Sequence, residues 1–168
     1  IGMSMTPGSM FAGVDAKKKK KGAKDGKLKI LGVGIGGRGA AVLRGLETED
    51  IIGLCDVDWK YAEPIFNRYP NAKRYNDYKV MFAELLDQCD AVVCATADHT
   101  HAIICAEAIA AGKHVYCEKP LTHSVYESRL LTKLAAKHKV ATQMGNQGAS
   151  AEGEIGRASC RERVSRVV

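Results

Sequence analysis

The chain has 168 residues, 46% of them hydrophobic, which is enough to bury one core and predicts a single folded domain. Its formal net charge of +6 lies at the ends: residues 13–29 carry eight Lys and two Asp, residues 155–168 four Arg and one Glu, and residues 30–154 13 basic and 16 acidic side chains. This placement argues against nucleic-acid binding, which needs basic residues on a folded face. No apolar run approaches the roughly 20 residues that cross a bilayer, so a membrane protein is not expected.

The first 26 residues lack the periodicity of a folded element. Residues 1–12 are weakly apolar and rich in small side chains, and they resemble either the remnant of a secretory signal or an ordinary disordered leader. The Lys-rich run over 13–27 indicates a solvated linker, with a nuclear localisation signal as the alternative. We therefore expect a signal remnant and linker over 1–26, followed by a folded domain over 27–153.

From residue 27 onward, short apolar runs alternate with amphipathic stretches, a pattern typical of strand–helix units around a parallel sheet. Strands are predicted over 28–33, 51–55, 73–75, 91–95, 114–117 and 140–143. Helices are predicted over 37–46, 59–69, 101–111 and 125–138, and Asp77 is expected to cap one more. Six strands joined by helices predict an α/β fold with a doubly wound parallel sheet of the Rossmann type.

A glycine-rich turn follows the first predicted strand. Residues 34–39 read GIGGRG and match the GxGxxG pattern, and an overlapping match starts at Gly32. Because the strand must finish before the first glycine, the register that starts at Gly34 is favoured. In that register Gly34 makes the tight turn, Gly36 lets the backbone approach a diphosphate, and Gly39 allows close packing of helix on strand. The diphosphate is expected at the helix N-terminus.

Asp56 follows the second predicted strand, 22 residues after Gly34 and 17 after Gly39. This brackets the roughly 20-residue spacing of the acid that accepts hydrogen bonds from the adenosine ribose. A carboxylate at this position repels a 2′-phosphate, so NAD is predicted over NADP. The alternative is that Asp56 only caps the helix that follows it.

Glu118, Lys119 and Pro120 follow the fifth predicted strand, on the edge where ligands bind in this fold. Lys119 could polarise or deprotonate a substrate hydroxyl, and Glu118 could tune its charge; the alternative is a surface lysine before a turn proline. Asp98 or Thr100 is expected to cap the next helix, and a histidine from residues 99–101 is expected to line the cofactor crevice. The amides of Gln143, Asn146 and Gln147 end the sixth strand, where they bind ligand or satisfy loop backbone.

The sequence gives no indication of a metal site. His99 and His101 are two residues apart, which does not place them on one face of a helix. The chain has six Cys without CxxC spacing, and Cys55 and Cys94 fall inside apolar strand-like runs. We therefore expect neither a zinc site nor a disulfide framework, and we interpret these cysteines as small core residues.

Five segments in order carry a resemblance to a known family: GVGIGGRG, CDVD, DAVVCATADHTHA, GKHVYCEKPLTHS and QMGNQG. Together they resemble the N-terminal NAD(P)-binding domain of the Gfo/Idh/MocA oxidoreductases over roughly residues 27–153. The resemblance implies hydride transfer between a nicotinamide and a sugar, inositol or related polyol, in an enzyme that is often a homo-oligomer. It makes Lys119, of the EKP motif, the catalytic or substrate-orienting residue. Ala97 departs from the family, which commonly has Pro there.

The predicted cofactor contacts are Gly34, Ile35, Gly36, Gly37, Arg38, Gly39, Asp56, Thr96, His99, His101, Glu118 and Gln147. The resemblance also implies a second, α+β domain with the remaining catalytic group and the sugar pocket, and we expect that domain to be missing here. Residues 154–168 are interpreted as a non-native tail, because residues 155–164 look like a translated sequencing adapter. Without the second domain, we expect the fragment to be inactive alone.

Three questions stay open at this point. The similar family members often carry a twin-arginine export signal, so an exported, periplasmic protein is expected, with a cytoplasmic one as the alternative. An NAD-dependent glycoside hydrolase is the second enzyme class that fits the same motifs. A non-catalytic NAD-binding module is the third hypothesis.

Overall fold

The structure, a computed structural model, describes residues 26–150, with side chains described to residue 148. The expected signal remnant, most of the Lys-rich linker and the tail over 154–168 lie outside the described residues. The strands are β1 (Lys29–Val33), β2 (Asp50–Cys55), β3 (Lys73–Tyr75), β4 (Ala91–Cys94), β5 (His114–Glu118) and β6 (Thr142–Gly145). The helices are α1 (Gly37–Arg44), α2 (Trp59–Arg68), α3 (Tyr78–Leu85), α4 (Asp98–Ala110) and α5 (Val125–His138), with 3₁₀ turns at Leu86–Gln88 and Gln147–Ser150.

The six strands form one parallel sheet in the order β3-β2-β1-β4-β5-β6. This is the strand order of a doubly wound Rossmann fold, and it confirms the predicted α/β class. The order reverses between β1 and β4: the chain leaves β1 towards β2 on one side and leaves β4 towards β5 on the other. The gap between the two exits is where ligands bind in such sheets.

Apolar side chains cover both faces of the sheet. Leu43 of α1 and Phe66 of α2 belong to one buried cluster, together with Leu54 of β2. Met81 of α3 and Ile109 of α4 belong to a second cluster, which also contains all five cysteines of the described residues. Helices on both faces explain why the strands are near-continuous apolar runs rather than alternating ones. No helix among residues 26–150 is long and apolar enough to span a membrane.

Most predicted elements agree with the structure to within one or two residues, and β3 and α5 agree at both ends. Asp77 caps α3 as expected, since its side chain accepts a hydrogen bond from the Lys79 amide. The predicted start of α4 at residue 101 is wrong, because the helix begins three residues earlier, at Asp98. Asp98 is a helical residue rather than the cap, and the Thr100 hydroxyl donates to the Ala97 carbonyl instead of accepting from a backbone amide.

Candidate functional site

The glycine turn connects the end of β1 to the start of α1. Gly34 has a φ of +73°, and a Cβ there would lie 2.7 Å from the backbone of Ala95, which follows β4. A Cβ on Gly39 would lie 2.0 Å from the Gly34 carbonyl oxygen. These two glycines therefore let α1 pack directly on the turn, and this packing aims the N-terminal amides of the helix at the gap between β1 and β4.

Asp56 lies immediately after β2 and is held on both carboxylate oxygens. Its Oδ2 accepts from the Gly36 amide at 2.9 Å, and its Oδ1 accepts from the Asp58 amide at 3.0 Å. It is Asp58, not Asp56, that caps α2, because its side chain accepts from the Tyr61 amide. The structure therefore removes the alternative that Asp56 is only a helix cap. We call the group formed by Gly34, Gly36 and Asp56 the glycine half of the site.

A cavity of about 720 Å³ opens in front of the glycine half. This volume is typical of a small-molecule site. Three of the predicted contacts outside the glycine turn line it, namely Asp56, Thr96 and His99. The remaining lining residues include Val57, Tyr61, Asn76, Asp77, Tyr78, Thr100 and Ile103.

Tyr61 is one of the lining residues that sequence reasoning missed, and it is the one that lies on the glycine turn. Its ring lies against the glycine turn, so that a Cβ on Gly36 would meet the ring at 2.4 Å, and its hydroxyl lies near Gly37. The side chain is 62% exposed although it is large and aromatic. A tyrosine at a solvent-facing position in the first turn of α2, five residues after Asp56, is the only signal in the sequence that could have pointed to it.

Two further glycine-turn residues are placed differently from each other. The Ile35 side chain is 1% exposed and packs in the core, so only its backbone faces the site. The Arg38 side chain extends from α1 across the site to β5, and its Nε lies 3.2 Å from Glu118 Oε1. The turn therefore contributes backbone to the glycine half and one long side chain to the opposite part of the site.

His101 is not a cavity residue. Its side chain is 1% exposed, with Nδ1 2.6 Å from the Pro120 carbonyl oxygen and Nε2 3.1 Å from the Thr96 carbonyl oxygen. The expectation that a histidine lines the crevice holds for His99, whereas the His101 side chain turns into the core and ties the β4 loop to the β5 loop. The two-residue spacing explains the difference, because it points the two histidines to different sides of α4.

Glu118, Lys119 and Gln147 form what we call the lysine half of the site. Glu118 is 5% exposed at the end of β5. Its Oε1 accepts hydrogen bonds from Arg38 Nε at 3.2 Å and from Gln147 Nε2 at 2.6 Å. Gln147 also contacts the Tyr116 hydroxyl at 2.6 Å. The Lys119 side chain is exposed at the edge of the sheet. Glu118 is thus a buried anion that holds groups from α1, β5 and the segment after β6, next to an exposed lysine.

Burial raises the pKa of two side chains that line the cavity, Cys55 and Tyr78. Burial, followed by the charge of Asp56, raises the pKa of the Cys55 thiol to about 12, so this cavity-lining thiol stays protonated. Burial, followed by Glu107, raises the pKa of the cavity-lining Tyr78 to about 12. At neutral pH these two groups face the cavity uncharged, and the charge on the glycine half comes from the Asp56 carboxylate.

A profile of the oxidoreductase family with an NAD-binding Rossmann fold, named GFO_IDH_MocA, matches residues 27–146. The chain belongs to the Gfo/Idh/MocA oxidoreductase family. The match covers all six strands and every residue of both halves of the site except Gln147, and it confirms the resemblance carried by the five sequence segments. The chain thus carries the NAD-binding Rossmann domain of this family, and it is similar to inositol and sugar dehydrogenases.

Among curated relatives, the Gfo/Idh/MocA chain is 29% identical over 119 residues to the inositol 2-dehydrogenase of Salmonella typhimurium, covering 67% of this chain and 35% of the relative. It is 26% identical over 120 residues to the glucose-6-phosphate 3-dehydrogenase of Bacillus subtilis, covering 71% and 33%. Among solved structures, GenD2 from gentamicin A biosynthesis, in complex with NAD, is 30% identical with a TM-score of 0.66, covering 75% and 36%. The chain therefore spans about a third of the length of these relatives.

The described residues fit the NAD of this family. The diphosphate needs backbone amides and close backbone approach, and the turn from Gly34 to Gly37 supplies both at the N-terminus of α1. Within this turn the Gly34 and Gly36 amides themselves donate to the Cys55 carbonyl and to Asp56. The adenosine ribose needs an acceptor for its hydroxyls, and the Asp56 carboxylate lies in the cavity wall next to that turn. Each requirement is met by a residue that the spacing of the motif had singled out.

Proposed function

We propose that this chain is the cofactor-binding part of an NAD-dependent dehydrogenase that acts on a hydroxyl group of a sugar or polyol. The relatives named above act on an inositol and on a sugar phosphate, and both are compounds with many secondary hydroxyls. The observation that carries the proposal is the position of Lys119, an exposed lysine at the carboxyl edge of the sheet, directly after the buried Glu118, whose Oε1 contacts Arg38 and Gln147.

NAD, when bound, supplies the hydride acceptor, and the chain supplies binding and proton handling. The turn at Gly34 and Gly36 holds the diphosphate, and Asp56 holds the ribose by accepting hydrogen bonds from its hydroxyls. Lys119, as a neutral amine, accepts a hydrogen bond from the substrate hydroxyl and takes its proton as the alcohol is oxidised, because an amine close to a reacting hydroxyl can act as its base. Glu118 keeps the backbone before Lys119 in place through Arg38 and Gln147.

The same proposal covers what the chain does alone. The chain spans about a third of the length of its relatives. We propose that the substrate pocket and the second catalytic group of the enzyme lie in the part that this chain does not match. We propose that the isolated chain binds NAD and does not turn over a polyol. We also propose that the full-length enzyme is a homo-oligomer.

The test measures NADH binding and turnover separately. The 168-residue chain is titrated with NADH by fluorescence and then assayed with NAD and a panel of inositols and sugars; binding without turnover is expected. The continuous gene from the genomic locus is expressed next, with Lys119→Ala beside Lys133→Ala, an exposed lysine of α5. We expect Lys119→Ala to lower kcat by about 100-fold to 10,000-fold, as for loss of a general base, with the NADH affinity unchanged.

Three outcomes would contradict the proposal. Equal turnover by Lys119→Ala and Lys133→Ala removes the assigned role of Lys119. Robust turnover by the 168-residue chain shows that it already holds a complete active site. Release of free sugar without net formation of NADH places the enzyme among NAD-dependent glycoside hydrolases instead.

A further inference from the structure

Four buried side chains that the nucleotide site does not use converge between β4, β5 and α4. Cys94 and Cys117 end these two strands and are paired in register, so their side chains lie next to each other. His101 and Cys105 lie one helical turn apart on α4, on the face that covers the same strands. The exposed fraction of each of the four is 0–1%.

The distances in this group suit a metal ion. The ligand atoms of Cys94, His101 and Cys117 all lie within 4.8 Å of one another. The buried Cys105 thiol interacts with the thiols of Cys94 and Cys117 in the same core cluster, so a third sulfur adjoins the group. Two cysteines and a histidine with a further sulfur at hand are the ligand types that bind zinc in four-coordinate sites.

The hydrogen bonds of His101 give an independent indication. Both of its ring nitrogens face carbonyl oxygens, Nδ1 that of Pro120 at 2.6 Å and Nε2 that of Thr96 at 3.1 Å. A neutral imidazole has one N–H and one lone pair, so only one of these contacts can be a hydrogen bond. When Nδ1 carries the N–H and donates to the Pro120 carbonyl oxygen, the lone pair of Nε2 faces another acceptor inside the core. A cation bound to Nε2 would remove this mismatch, and the Thr96 carbonyl oxygen would move aside to make room for it.

We propose that Cys94, Cys117 and His101 bind a zinc ion in the core, with Cys105 beside them as the fourth group. Two thiolates neutralise one Zn²⁺, and a neutral complex avoids the cost of a net charge in a buried place. His101 keeps its Nδ1–H on the Pro120 carbonyl, which is how metal-binding histidines are usually oriented. Binding forms Zn–S bonds to Cys94 and Cys117 and a Zn–N bond to His101, and the two thiol protons leave to solvent. The Cys105 sulfur takes the fourth position as a protonated thiol, so the complex stays neutral.

Access to this cluster is through the nucleotide cavity. Thr96 lines the cavity, and its hydroxyl oxygen lies 3.5 Å from Cys94 Sγ. Ile104, on the same helix as Cys105 and His101, lines the cavity as well. One layer of side chains therefore separates the cluster from the cavity, and an ion can reach the thiols when this layer moves.

The test uses Co²⁺ as a spectroscopic substitute for zinc. The full 168-residue chain is reduced, freed of metal under anaerobic conditions and titrated with CoCl₂. We expect one Co²⁺ per chain, with the visible absorption of a tetrahedral site and a thiolate charge-transfer band, both abolished by added Zn²⁺. Loss of a ligand in Cys94→Ser, Cys117→Ser or His101→Asn is expected to weaken Co²⁺ binding beyond the roughly 10-fold to 100-fold cost of losing an outer-shell partner.

Cys89→Ser is the matched control, because Cys89 is buried in the same core cluster and takes no part in the group. It should bind Co²⁺ as tightly as the unmodified chain. X-ray absorption of the unmodified chain loaded with Zn²⁺ makes the test independent of whether the variants fold. Zn–S distances of about 2.3 Å with one Zn–N of about 2.0 Å are expected. A shell of oxygen and nitrogen only, or equal Co²⁺ binding by all variants, would overturn the proposal.

Discussion

In the glycine half of the site the functional groups are backbone amides and one carboxylate, whereas in the lysine half they are long side chains that hold one another in place. Gly34, Gly36 and Asp56 lie within 22 residues of sequence, and their geometry follows from a turn and a strand end. Arg38, Glu118 and Gln147 come together across separations of 80 and 29 residues. The first half therefore depends on local backbone conformation, and the second on tertiary packing.

The largest effect is expected in the glycine half, from Gly39→Ala. Alanine favours a helix over glycine by about 1 kcal/mol, but its Cβ would lie 2.0 Å from the Gly34 carbonyl oxygen, a backbone atom that cannot turn away. We expect the free energy of unfolding to fall by about 3 kcal/mol or more, with NADH binding lost. Urea denaturation measures the first and fluorescence titration the second.

The control for this substitution is Gly148→Ala, where a Cβ meets nothing within 4 Å. Its free energy of unfolding should stay within about 0.5 kcal/mol of the unmodified chain. If Gly39→Ala behaves like Gly148→Ala, the close packing of α1 on the turn does not govern the glycine half.

Asp56→Asn tests how the carboxylate of the glycine half contributes to cofactor binding. Hydrogen bonds to a charged group contribute about 1.5–3 kcal/mol, so we expect NADH affinity to fall by roughly 10-fold to 100-fold. Removing the negative charge also removes the repulsion of a 2′-phosphate, so the affinity for NADPH should fall less or rise. Both affinities are measured by fluorescence titration beside Asp87→Asn, an exposed carboxylate away from the cavity. An unchanged NADH to NADPH ratio would show that Asp56 does not select the cofactor.

The lysine half is tested by a double-mutant cycle on Arg38 and Glu118. Arg38→Met removes one partner of a carboxylate whose side chain is 7% exposed, so we expect a loss of about 1–3 kcal/mol in the free energy of unfolding. Glu118→Gln should lose less, because Gln147 and Tyr116 remain beside a neutral amide. With Glu118 already neutral, Arg38→Met should cost little more. Additive effects would mean that the two side chains are not coupled.

The smallest effect is expected at Tyr78, which joins α3 to α4 through its hydroxyl and Glu107 at 3.3 Å. Tyr78→Phe should lower the free energy of unfolding by about 0.5–1.5 kcal/mol at neutral pH. The folded state raises the pKa of Tyr78 from 10 to about 12, so this contribution is complete below pH 10 and is lost as pH rises towards 12. Denaturation at several pH values should show a shallower fall in the variant, with exposed Tyr126→Phe unchanged from the parent chain.

The two halves also differ in how far the sequence could predict them. Spacing alone places Gly34 and Asp56, because a strand end and a turn fix their relation within a few residues. The Glu118, Lys119 and Pro120 motif gave the position of the lysine half but not its contacts, since no sequence period indicates that Arg38 reaches across the sheet. Composition and pattern were enough for the fold, because β1, β2, β4 and β5 are short apolar runs between turn signals, while β3 and β6 at the sheet edges have a weaker pattern.

The sequence does not predict where the side chains of the histidines and cysteines lie. His99 and His101 look alike in the chain, yet one lines the cavity and the other is buried between two carbonyl oxygens, because their directions depend on where α4 begins. Cys94, Cys105 and Cys117 show no motif spacing, since they come from two strands and a helix. Their proximity follows from the register of β4 on β5, which only the folded sheet fixes.

The two edges of the sheet bear on how well the chain stays in solution. At one edge β3 has three residues, two of them charged and exposed. At the other, β6 is an uncharged TQMG segment with three exposed residues, and within residues 26–150 it pairs with β5 alone. Uncharged strand edges are the places where copies of a protein add to one another, while short and charged edges resist this. Aggregation of the chain during purification should therefore begin at β6, and a lysine in place of Gln143 should delay it.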